Sequence, residues 1–402
     1  MTDSTETVSP RRKRQAETIP FLTLGFRPFF LLAGIWAALG LPLSILLMEG
    51  LVPLSGPLDV LAWHRHEMLF GFVAATVTGF ILTAIPNWTG RLPVSGMPLL
   101  CLALLWAAGR IAVSAMGLLG AAAVATIDIA FLLTVVVVVL REIVAGKNWR
   151  NMPIAAALML LVAANALQHA EIAGLLPNDA IAGGRGTRLA IATMAMLIAL
   201  VGGRIVPSFT RNWLAKNSAG PMPAEFGPYD KAALVLTGLA LTLWVILPEN
   251  HFTGAAAALA ALANLIRLAR WRGLATWPEP LVWVLHLGYL WLAAGLALIA
   301  LSALTESLTM TSVLHGLTIG AIGTMTLAVM SRATLGHTGR ALTAGPALTI
   351  AYLLVSCAAI ARILSALSDQ AGSLLLYGAA FCWSLAFLLF VIVCGPMLIG
   401  RK

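Results

Sequence analysis

The chain reads as an all-α polytopic membrane protein with twelve transmembrane helices, from its composition, the length of its apolar segments and the placement of its charges. Its 402 residues are 60% hydrophobic and only 10% charged, with a mean hydropathy of +0.93. A water-soluble fold of this size has too little interior for so much apolar side chain, so the bilayer must be the solvent for most of it. Apolar segments follow one another with short connections, which leaves no room for a separate soluble domain. The net charge of +9 does not gather on a foldable polar face, so nucleic acid is not an expected partner. The basic residues lie in alternate loops, where they set orientation in the membrane.

Taken in order, residues 1–20 form a polar tail with the basic run Arg11-Arg12-Lys13-Arg14. No short apolar region with a cleavage site follows, so the tail reads as a cytoplasmic anchor and not as a signal peptide. Residues 21–402 then make one transmembrane domain. Its twelve apolar segments lie near 25–48, 58–85, 96–117, 119–142, 152–172, 187–207, 229–247, 253–270, 280–302, 308–332, 345–366 and 372–397. With a cytoplasmic N-terminus, the inner loops hold Arg91, Arg141, Lys147, Arg150, Arg204, Arg211, Lys216, Arg267, Arg270, Arg272, Arg332, Arg340, Arg401 and Lys402. The outer loops hold Glu49, Asp179, Glu249, Glu306 and Asp369, with Arg185 and Arg188 the only basic residues nearby. This asymmetry places both termini in the cytoplasm of a multi-pass inner-membrane protein. The cysteines Cys101, Cys357, Cys382 and Cys394 all fall in apolar segments without C-x-x-C spacing, as packing residues do.

The second, sixth and tenth segments end alike, in P-N-W-T-G-R, P-S-F-T-R-N and L-G-H-T-G-R. A period of four segments suggests three pseudo-repeated four-helix units, whereas twelve-helix transporters repeat differently. The second and tenth segments match further. His66 precedes Arg91 by 25 residues, His315 precedes Arg340 by 25 residues, and Gly71 and Gly320 fall in register.

Ionisable side chains inside a membrane helix are costly, so a functional role is the default there. Five of the seven histidines lie in apolar segments: His64, His66, His169, His286 and His315. All but His286 belong to the outer third of the membrane, and His251 and His337 fall in loops. A neutral imidazole ligates haem iron or copper without charge compensation; it can equally link two helices by hydrogen bonds. Four histidines at one depth favour ligation. His64 and His66 diverge by about 200° on a helix, so they serve opposite sides of it. Glu67 can orient an imidazole or carry a proton. Gly316, Gly320 and Gly323 strip one side of the tenth segment to backbone, which suits close helix packing or the face of a porphyrin. Arg65, Arg110 and Arg362 are candidate cations for haem propionates, with Asp128 an alternative partner for Arg110. Asn165, Gln168, His169 and Glu171 form a polar group that reads as a copper site, a proton entry or a hydrogen-bond knot. No phosphate loop, nucleophile elbow or helical H-E-x-x-H zinc motif is present.

Several motifs together resemble the NnrS family: G-F-R-P-F-F-L at 25–31, W-H-x-H-E-M-L-F-G-F at 63–72, P-N-W-T-G-R at 86–91, G-G-R-x-x-P-x-F-T-R-N at 202–212, L-H-L-G-Y at 285–289, and the stretch ending in L-G-H-T-G-R at Arg340. The resemblance covers nearly all of the chain after the tail. It implies a bacterial inner-membrane protein that contains haem and copper, is produced in denitrification or nitrosative stress, and supports tolerance of nitric oxide. The four-helix period is also similar, more weakly, to the haem–copper oxidases and nitric oxide reductases, which carry histidine ligands on helices 2 and 10. Their second metal takes histidines from helices 6 and 7, and this chain has none there. On this reading His66 and His315 are axial ligands of one haem b, and His64 with His169, or less readily His286, holds copper. The protein then binds nitric oxide, and reduces it if an electron donor is supplied; a permease for a small solute or metal complex is the alternative.

Overall fold

The computed structural model describes residues 19–54, 56, 58–177, 181–217, 220–305, 308–368 and 370–400. Nearly all of the basic tail, and Asp179, Glu306, Asp369, Arg401 and Lys402, lie outside them. Twelve helices are long and apolar enough to cross a membrane, as expected. They are α1 Phe26–Met48, α2 Val60–Thr89, α3 Met97–Ser114, α4 Ala121–Ala145, α5 Trp149–Ile172, α6 Arg185–Asn217, α7 Pro228–Ile246, α8 His251–Ala269, α9 Pro280–Thr305, α10 Ser312–His337, α11 Pro346–Ser365 and α12 Gly372–Leu398. No strand occurs among the described residues.

Most boundaries fall within a few residues of those read from hydropathy, and the exceptions share one cause. Hydropathy reports the apolar stretch, whereas a helix continues into polar sequence while its backbone bonds are satisfied. So α6 runs on through Arg211 to Asn217 and α10 through Arg332 to His337. His337 is therefore the last residue of α10, against the ring of Phe26, and His251 is the first residue of α8. Neither lies in a loop proper.

The helices sort by burial into a centre and a surround. The apolar windows of α2, α6 and α10 are 83%, 67% and 72% buried, and those of the other nine are 33–61% buried. The three central helices touch one another, and α12 packs on α1 to close the outer ring. Each consecutive group of four, α1–α4, α5–α8 and α9–α12, thus gives its second helix to the centre. All three central helices also widen to π-helix partway along, at Glu67–Val73, Ile198–Gly202 and Gly316–Gly323.

A π-segment loosens the regular backbone ladder, and neighbouring donors take up the carbonyls it turns outward. The Gly71 carbonyl accepts from Trp106 Nε1 of α3 at 2.9 Å. The Ala199 carbonyl accepts from Arg267 Nη1 of α8 at 2.9 Å. Arg267 is fully buried, and its charge is matched by Asp230 Oδ1 at 2.8 Å. The same guanidinium donates to Tyr289 Oη at 2.7 Å, which donates in turn to Asn264 Oδ1 at 2.6 Å. Buried polar groups are thus paired across α6, α7, α8 and α9, as an apolar surround demands.

Candidate metal centre and the adjoining cavity

Helix α2 sets the site. Asp59 Oδ1 caps its start by accepting from the Ala62 amide at 2.8 Å. Regular α-helix then runs Val60–His66 before the π-segment begins at Glu67. His64 and His66 consequently leave opposite sides of one turn, and each meets a different set of partners.

His66 points at α4 and α5 and is wholly buried. Its Nε2 lies 3.0 Å from Asp128 Oδ2 of α4 and 3.3 Å from Asn165 Oδ1 of α5, and its Nδ1 lies 3.3 Å from Glu67 Oε1. His169 Nε2 reaches the same Asp128 oxygen at 3.1 Å, and Asn165 Nδ2 donates to it at 2.8 Å. Arg110 of α3 closes the group: Nη1 pairs with Glu67 Oε1 at 3.0 Å and Nη2 pairs with Asp128 Oδ1. Ligand atoms of His66, Asp128 and His169 all lie within 4.8 Å of one another, and two imidazoles with a carboxylate are a common transition-metal donor set.

The charges of this cluster do not balance by themselves. Glu67 and Asp128 carry two negative charges and Arg110 one positive charge, all buried. An uncompensated charge inside a membrane protein is expensive. Both ring nitrogens of His66 moreover face oxygen acceptors, which a singly protonated ring cannot satisfy. One more positive charge, a proton or a metal cation, completes the arrangement. Glu67 Oε2 is also buried without a hydrogen bond among the described residues.

His64 leaves the other side of α2 and lines a cavity of about 270 Å³ together with His315 of α10. That is several times the ~30 Å³ share of a water molecule in the liquid. Arg65 and Arg362 line the same cavity, and its walls are largely apolar, among them Leu41, Phe72, Leu314 and Trp383. The Ser44 hydroxyl donates to the Gly40 carbonyl at 2.7 Å, so His64 Nδ1–H donates to Ser44 Oγ at 3.0 Å. This leaves the lone pair on Nε2, the arrangement that prepares a histidine to ligate. Arg65 Nε is buried without a partner among the described residues, and Arg362 Nη1 donates to Ser365 Oγ at 2.9 Å. Two imidazoles, two guanidiniums and apolar walls suit a large flat ligand that carries carboxylates.

The structure regroups the residues expected at the site. His64 and His315 share a cavity, while His66 sits with His169; the expected pairs were His66 with His315 and His64 with His169. Arg110 is held by Glu67 and by its alternative partner Asp128 on the His66 side, and it does not line the cavity. Gly316 and Gly320 do not line it either. A Cβ at Gly316 would lie 2.5 Å from Leu298, and one at Gly320 would lie 2.5 Å from the Trp291 ring. The bare strip is filled by α9 at Gly316 and Gly320 and by Trp383 of α12 at Gly323, which leaves no porphyrin face. His286 Nε2 donates to Thr210 Oγ1 at 2.8 Å, the hydroxyl itself donating to the Val206 carbonyl, and His286 joins neither the cluster nor the cavity. Glu171 caps α6 by accepting from the Arg185 amide at 2.8 Å, and Gln168 Nε2 donates to Thr187 Oγ1 at 3.2 Å. Of the expected polar group, then, Asn165 and His169 alone join the cluster.

Asp128 is the centre of that cluster, and sequence reasoning noted it only as a partner for Arg110. Its signal was present: it is the one acidic residue within the apolar run of α4 before Glu142, where a carboxylate is costly. Ser44, which orients His64, carries no comparable signal, because serines in membrane helices commonly bond their own backbone.

No curated protein matches the chain. A family model described as NnrS protein matches residues 20–402. That span takes in every helix and all the residues of both the cluster and the cavity, and the chain belongs to the NnrS family.

Proposed function

We propose that this is a haem-binding protein of the bacterial inner membrane that handles nitric oxide, with copper as a second metal and both termini in the cytoplasm. The observation that carries the reading is the convergence of His64 and His315, from two central helices, on one apolar cavity that also holds Arg65 and Arg362. His64 and His315 would hold the haem b iron, and Arg65 and Arg362 would hold its propionates. Haem bound there supplies an iron centre that exchanges electrons and takes up small gases.

The chain's own residues do the rest. Ser44 fixes the tautomer of His64. Phe72, Leu314 and Trp383 give the cavity apolar walls, which would strengthen the electrostatic contacts of a bound group. His66, His169 and Asp128 would hold copper, whose positive charge meets the deficit left by Glu67, Asp128 and Arg110. Glu67, next in sequence to His66 and with one carboxylate oxygen unpartnered among the described residues, would hold a proton beside His66. Binding nitric oxide would also require that one of the two imidazoles be displaceable; reducing it would further require an electron donor from outside the chain.

The test is the absorption spectrum of the purified, dithionite-reduced protein before and after nitric oxide is added. A Soret band that shifts, with a matching electron paramagnetic resonance signal, is the expected result. A colourless protein would favour the permease alternative, and a haem spectrum indifferent to nitric oxide would remove gas handling from that site.

A further inference from the structure

A second, smaller pocket of about 90 Å³, partly open to the surround, lies among the three central helices and Ile154 of α5. Thr76 and Val77 of α2, Ile198 and Gly202 of α6, and Met325 and Thr326 of α10 line it. The histidine-lined cavity is bounded on the same helices by Val73, Ile191 and Ile322. The steps from Val73 to Val77 and from Ile322 to Thr326 are four residues, so the two cavities lie about one turn apart along the same helix faces.

The smaller cavity is large enough for water but gives water little to hold. Its polar lining side chains are the two threonines. Thr76 Oγ1 donates to the Phe72 carbonyl at 3.1 Å, with Met330 Sδ at 3.6 Å. Thr326 Oγ1 donates to the Ile322 and Gly323 carbonyls at 2.7 and 3.0 Å. With both hydroxyl protons committed to their own helices, the space offers a water no hydrogen-bond donor, and apart from the two threonine oxygens its wall is apolar. An apolar pocket that opens on an apolar surround favours small apolar guests over water. Its room is maintained by the π-segment at Ile198–Gly202 and by Gly202 itself. A Cβ there would meet Tyr289 and Met325 only at 3.6 and 3.7 Å, in ordinary contact.

We propose that this cavity is a binding site for a small apolar gas molecule, of the diatomic class that includes nitric oxide, and that it feeds the histidine-lined cavity one turn away. The feeding role rests on the haem reading above; the gas site does not. Gases of this class concentrate in lipid relative to water, so a store between central helices needs no polar entry.

Xenon and carbon monoxide are the probes. Crystals of the full chain pressurised with xenon should show an anomalous peak beside Ile198, Gly202 and Met325. Gly202→Ala, which adds one methyl at ordinary contact distance, should weaken that peak severalfold, and Val201→Phe at a half-buried lining position should abolish it. In the reduced haem protein, carbon monoxide should rebind severalfold more slowly after photolysis in both variants, with the Soret position unchanged. No xenon peak in the unaltered chain, or one that both variants leave intact, overturns the gas site. Unchanged rebinding rates overturn the feeding role. A haem-free preparation that still takes xenon here would sink the haem assignment while leaving the gas site standing.

Discussion

Replacing Arg110 should damage the protein more than replacing Asp128, although the two side chains form one ion pair. The reason is the charge count of the buried cluster in its metal-free form. With Glu67, Asp128 and Arg110 in place the fixed charges sum to −1. Asp128→Asn brings the sum to zero and leaves Arg110 paired with Glu67 at 3.0 Å. Its single oxygen can stay with His66, His169 and Asn165 only while the amide NH2 turns to Arg110, and as those charge-assisted bonds become ordinary ones the loss is roughly 1–3 kcal/mol. Arg110→Met takes the sum to −2 and leaves two buried carboxylates without their cation. Breaking a buried pair in that direction costs on the order of 3–5 kcal/mol. Fluorescence-detected thermal unfolding of the chelator-treated protein in detergent should therefore give a lower midpoint for Arg110→Met than for Asp128→Asn. Equal midpoints, or the reverse order, would refute the charge deficit and with it the need for an added cation.

The remaining predictions address other parts of the account. His66→Ala and His169→Ala should each lose copper by elemental analysis while the haem absorption persists; full retention of copper in both would return these histidines to a packing role. Gly320→Ala forces a methyl against the Trp291 ring and should destabilise by about 1–3 kcal/mol, as overpacking does, without altering the haem spectrum. An altered spectrum there would mean that the glycine strip faces the ligand after all. Tyr289→Phe removes the acceptor of Arg267 and the donor to Asn264 and should lower stability by roughly 1–3 kcal/mol, which a thermal midpoint equal to that of the unaltered chain would contradict.

The helices were legible because a run of about twenty apolar residues has one use in a membrane, and the expected segments each became a helix. The opposed directions of His64 and His66 were legible too, since helical geometry fixes them two residues apart. Their partners were not. The matched spacing before Arg91 and Arg340 does mark equivalent places: His66 and His315 each stand immediately before a π-segment. Equivalent residues of repeated units, however, look toward equivalent neighbours and not toward each other. His66 faces α4 and α5, which follow α2 in the chain. His315 faces a cavity bounded by α11 and α12, which follow α10, and by α1 and α2 where the ring closes. The π-segments themselves leave no mark in hydropathy, because one extra residue per turn changes no side chain. The filling of the glycine strip by Leu298 and Trp291 likewise depends on how α9 is set against α10, which no local pattern encodes.

The central claim is that His64 and His315 together hold the haem, and ligand replacement tests it most directly. Reduced absorption spectra of purified His64→Ala, His315→Ala, His66→Ala and His251→Ala proteins decide it. The Soret and α bands should be lost or strongly shifted in the first two and preserved in the last two. Bands that survive in His64→Ala and His315→Ala but disappear in His66→Ala would place the haem on the other side of α2 and contradict the account.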